Sequence, residues 1–87
     1  MANFKKAIEN SKEYNSRVDR LAFRHKLDRD VLDEVCVALA MHGKKTRLQV
    51  LTAVEDKFDN NGMTNDELLQ LREEIIKRER KTNSRYY

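Results

Sequence analysis

Asn60-Asn61-Gly62-Met63-Thr64-Asn65-Asp66-Glu67-Leu68 reads as a helix stop followed at once by a helix start. Gly62 supplies the residue that reaches positive φ just past a helix end. Thr64 stands as the N-cap of the next helix, its hydroxyl placed to accept from the Glu67 amide while the Glu67 carboxylate reaches back to the Thr64 amide. Met63 and Leu68 occupy the positions of a hydrophobic staple. In a chain of 87 residues with no proline, such local punctuation marks a small bundle of helices. It specifies architecture, not chemistry.

The same grammar recurs upstream. Thr46-Arg47-Leu48-Gln49 is a second capping box. It opens a helix with Leu48, Leu51, Val54, Glu55 and Phe58 at helical spacing. Gly43 ends the preceding helix, which Asp28 caps. There Leu32, Val35, Cys36 and Leu39 lie on one line, with Val31, Val37, Ala38 and Ala40 widening the apolar face. So broad a face predicts the most buried helix of the domain. Asp30, Asp33 and Glu34 in its first turns suit the positive end of the helix dipole.

Nearer the N-terminus, Phe4, Ala7, Ile8, Ser11 and Tyr14 form one stripe, and Val18, Leu21, Ala22 and His25 form another. Asn15-Ser16 between them leaves open whether residues 3–26 make one helix or two. After Thr64 the core positions are Leu68, Leu71 and Ile75, flanked by Leu69 and Ile76. No segment alternates with period 2. The expectation is an all-α fold, a single domain of four to five helices over 1–87, with a frayed tail from about 81 to 87.

Charged residues make up 38% of the chain and the net charge is +3. That total conceals blocks of alternating sign: +4 over 1–27, −3 over 28–43, +2 over 44–58, −4 over 59–76 and +4 over 77–87. Opposite blocks attract within a fold or across a self-association interface, and a chain this short has a thin core. A homo-oligomer is therefore expected. Cys36 is the single cysteine, read as a small core hydrophobe in a reducing compartment. The start of the chain has no signal-peptide pattern, and no stretch stays apolar for the ~18 residues of a membrane span. A cytoplasmic protein is expected.

Chemistry-bearing constellations are few. Asp59-Asn60-Asn61-Gly62 resembles a calcium loop, but the required glycine and bidentate glutamate fall at the wrong spacing. His25, His42 and Cys36 share no metal-ligand spacing. Neither a nucleophile motif nor a glycine-rich phosphate loop is present. These readings imply no catalysis, no metal and no cofactor. The turn around Gly43 joins a buried helix to an exposed basic segment, so His42, Lys44, Lys45 and Arg47 form the candidate partner-binding edge. The same turn, read as a helix-turn-helix, would present Lys44, Lys45, Arg47 and Gln49 to a nucleic acid.

A Lys/Glu/Asn-rich, proline-free, single-cysteine helical chain of this size, with the segment Ala38-Leu39-Ala40-Met41-His42-Gly43-Lys44-Lys45, resembles the small early and regulatory proteins of T-even bacteriophages. Within that group it is similar to the lysis-inhibition accessory proteins, or antiholins. The resemblance implies a cytoplasmic, non-enzymatic protein of the infected cell that binds the cytoplasmic part of a holin and delays membrane permeabilisation. A second phage type, the cyclic-nucleotide sponge, would need Tyr14 to stack a base and basic side chains to hold phosphates.

Overall fold

Four helices follow one another in the computed structural model: α1 (Ala2–His25), α2 (Arg29–Gly43), α3 (Arg47–Asn61) and α4 (Asn65–Ser84). Residues 2–84 are described, with side chains over 8–79. No strand occurs among them, and the fold is all-α. The alternative of two helices over 3–26 is settled as one. Asn15 and Ser16 do not cap anything; their side chains accept from Arg29 and Arg20. Phe4 and Ala7, and the expected tail from residue 81, lie outside the described side chains.

The boundaries follow from local hydrogen bonding. Asp28 caps α2, accepting from the Asp30 amide at 2.9 Å and the Val31 amide. Both halves of the Thr46–Gln49 capping box form, at 3.1 and 3.0 Å. Thr64 accepts from the Glu67 amide at 3.3 Å, but the Glu67 carboxylate takes the Thr64 hydroxyl and not the Thr64 amide the sequence indicates. Gly62 holds φ 68°, and the Met63 amide returns to the Lys57 carbonyl. That is the closure expected where a helix stops on a left-handed residue.

The other two helix ends use lysine where glycine would be easier. α2 finishes at Gly43 as expected, but the left-handed residue is Lys44, at φ 54°. Lys44 and Lys45 both turn their amides onto the Ala40 carbonyl. Lys26 does the same work after α1, at φ 56°. Each lysine carries a strain of about 1–2 kcal/mol that glycine would not.

Side-chain pairings set the directions of the helices. Tyr14 to Asp33 and Asp19 to Arg29 run α1 antiparallel to α2. Arg17 to Glu55 and Arg24 to Asp59 run α1 alongside α3 in the same direction. Arg72 to Glu34 and Glu79 to His42 run α4 parallel to α2. α2 is the hub and packs on all three others, α1 also packs on α3, and α4 leans chiefly on α2. This agrees with the broad apolar face of α2, whose Leu32, Val35 and Cys36 are essentially inaccessible.

The core comprises Tyr14, Val18, Leu21, Leu32, Cys36, Leu51, Val54, Phe58, Leu68 and Ile75 with their neighbours. The N-terminal stripe departs from expectation, since Ile8 is 44% exposed and Ser11 is exposed. The reason is register against α3: Arg17 meets Glu55, and Asn10 and Ser11 already border Thr46 and Leu48 at the head of α3, so Ile8 stands past the start of that helix. The molecule is accordingly flat, 42 × 37 × 19 Å, with a radius of gyration of 14.3 Å where a globule of this length has about 12 Å. It exposes 6920 Å², against about 5,400 Å² for a compact protein of its mass.

Candidate functional site

Because α4 leans on α2 and scarcely touches α3, a groove stays open between the C-terminal half of α2 and the length of α3. Its floor is apolar: Leu39 from α2, with Val50, Ala53 and Val54 from α3. Its rim is His42, Lys45, Gln49 and Lys57, and it encloses about 380 Å³. The local causes are plain. Val50, Ala53, Val54 and Lys57 follow at helical spacing from the Thr46 cap, so one stripe of α3 faces the opening. The left-handed Lys44 swings Lys45 back beside Gly43, where its Cγ comes to 3.9 Å of the position a Gly43 Cβ would take. His42 faces Glu79 of α4 at 3.5 Å, which closes one corner.

The expected edge of His42, Lys44, Lys45 and Arg47 is thereby divided. His42 and Lys45 line the groove. Lys44 is an exposed helix cap. Arg47 turns to the other side of α3, where its guanidinium lies 5.7 Å from the centre of the Tyr14 ring. There it borders a separate hollow of about 270 Å³ with Asn10, Ser11, Thr46 and Leu48. Gln49, offered for base reading in a helix-turn-helix, accepts the Thr46 amide with its side-chain oxygen.

Tyr14 is 2% exposed and donates its hydroxyl to Asp33 at 2.7 Å. Burial first, and the bond to Asp33 next, hold that hydroxyl above the ordinary tyrosine range. A ring so enclosed presents no free face of the kind base stacking uses. Cys36 lies beside it, its thiol pushed up to about 12 by burial, which keeps it a thiol rather than a nucleophilic thiolate. Among the described residues no group of three or more His, Cys, Asp and Glu stands close enough to hold a metal ion.

His25 rests on Phe58 with ring centres 5.2 Å apart and meets Asp59 at 2.7 Å. Arg24 reaches the same carboxylate at 2.8 Å. His25 first, then Arg24, holds the Asp59 carboxyl below the usual range. The cluster clamps α1 to α3.

Two surface features escaped the sequence reading. The α2–α3 groove has no sequence signature, because it depends on where α4 sits. Phe23 is 89% exposed on α1, among Asp19, Arg20 and Arg24. A signal for it was available: Phe23 lies off the stripe of Val18, Leu21, Ala22 and His25.

No helix among the described residues is long and apolar enough to cross a membrane. No protein-family model, curated protein or solved structure matches the chain.

Proposed function

We propose that this is a non-enzymatic binding protein that regulates a partner protein by stoichiometric docking. The observation that carries the reading is the α2–α3 groove, with an apolar floor and a rim of His42, Lys45 and Lys57. Apolar, amide and basic side chains in that arrangement recognise a surface; they supply no nucleophile paired with a base. Binding acts by differential affinity, favouring the target conformation that presents the docking segment over the one that buries it.

The resemblance to T-even phage lysis-inhibition accessory proteins makes the cytoplasmic segment of a holin the candidate target, held out of its membrane-permeabilising assembly. A tagged chain purified from phage-infected cells tests the reading. Recovery of one membrane-associated protein near equimolar ratio, lost on replacing Ala53 with Arg to fill the groove floor, is expected. Recovery of only nucleic acid or a small nucleotide would end it.

A further inference from the structure

We infer that the occupant of the α2–α3 groove is a short amphipathic helix of the partner protein, with an apolar stripe flanked by acidic side chains. The inference rests on the docking reading above and gives it a chemistry. Shape comes first. Gln49, Ala53 and Lys57 succeed one another at i, i+4 and i+8 along the groove, spanning about 12 Å. A helix of two to three turns matches that length. The floor residues Val50 and Val54 are 6% and 4% exposed, while Ala53 between them is exposed. A small residue at the centre of an apolar stripe leaves room for a partner's larger side chain at i, i+3 or i+4.

Charge then selects among helices. The lining carries Lys45, Lys57 and His42 and no carboxylate, while Glu79 of α4 faces His42 at 3.5 Å. Lys45 stands at one end of the opening and Lys57 at the other, so two carboxylates on a docked helix can be met at once.

Two synthetic helical peptides that share a leucine stripe at i, i+3, i+4 and i+7, one flanked by glutamates and one by lysines, test this. They are titrated into the isotope-labelled full chain by NMR. The glutamate peptide is expected to shift the amides of Gly43, Val50, Ala53 and Lys57 saturably. The lysine peptide should bind about tenfold more weakly, the combined worth of two surface ion pairs near the top of their usual range. The double variant Lys45→Glu with Lys57→Glu should reverse that preference. Both positions are exposed, and an unchanged far-ultraviolet spectrum verifies folding.

Equal binding of both peptides, no binding of either, or shifts confined to the Tyr14–Arg47 side would overturn the assignment. So would the same amides shifting when the protein alone is concentrated, since the occupant would then be a second copy. Failure here is separable from failure of the docking reading. A native partner recovered at equimolar ratio whose binding survives the double reversal removes the acidic helix and keeps the regulator.

Discussion

Replacing Tyr14 with Phe deletes one hydroxyl at the seam between α1 and α2 and leaves the ring in place. That hydroxyl donates to Asp33 Oδ1 at 2.7 Å from a side chain 2% exposed. Hydrogen bonds to a charged acceptor contribute about 1.5–3 kcal/mol net. Asp33 is only half-buried, so water can replace the lost donor on the carboxylate, and the low end, about 1.5 kcal/mol, applies. An 87-residue chain unfolds with an entropy of about 0.18 kcal/mol/K, which converts the loss to roughly 8 °C in Tm.

Urea unfolding followed by circular dichroism at 222 nm measures it, with the slope m unchanged because the fold is the same. The double variant with Asp33→Asn should lose less than the two single losses added, with a coupling near 1 kcal/mol. A Tyr14→Phe loss below about 0.3 kcal/mol, or no coupling with Asp33, would refute the view that this bond pins α1 to the hub. Arg47 over the ring is unaffected by the change, since Phe keeps the π face.

Other outcomes follow from the same geometry. Gly62→Ala should destabilise by about 1–2 kcal/mol purely through backbone strain, because φ is 68° and nothing lies within 4 Å of the added Cβ. Lys44→Gly should stabilise by about 0.5–1 kcal/mol for the opposite reason; paired thermal melts check both signs. Asp59 titrates lower in the folded chain than in the unfolded one, so its contribution is complete at neutral pH and is lost as pH falls below the ordinary aspartate range near 4. The stability of Asp59→Asn should therefore fall less steeply between pH 5 and 2, as read from urea midpoints across that window. Cys36, fully buried with its thiol raised to about 12, should react with a thiol reagent at pH 8 only as fast as the chain opens. Rapid stoichiometric labelling of the native protein would contradict its place in the core.

Helix ends were legible because capping is decided within three or four residues. Asp28, Thr46 and Thr64 carry their own side-chain acceptors, Gly62 its freedom to reach positive φ, and each stands at the boundary the sequence indicates. The buried faces of α2 and α3 were legible for a related reason: a period of 3.6 residues places Leu32, Val35 and Cys36, or Leu51, Val54 and Phe58, on one side wherever the helix lies. Lys44 shows the limit of local reading. Glycine is the better left-handed residue, yet it is the two amides following Gly43 that close on the Ala40 carbonyl, and Ala40 is held in register by burial.

Pairings across dozens of residues, such as Arg17 with Glu55, His25 with Asp59 and Arg72 with Glu34, were not legible, since many charges on each helix could have met. The groove belongs to this second kind. The chain dictates that α3 has Val50, Ala53 and Val54 in a stripe, but an apolar stripe becomes floor or core according to what covers it. That outcome depended on α4 leaning chiefly on α2, and relative helix placement is the sum of many weak contacts rather than of any local signal.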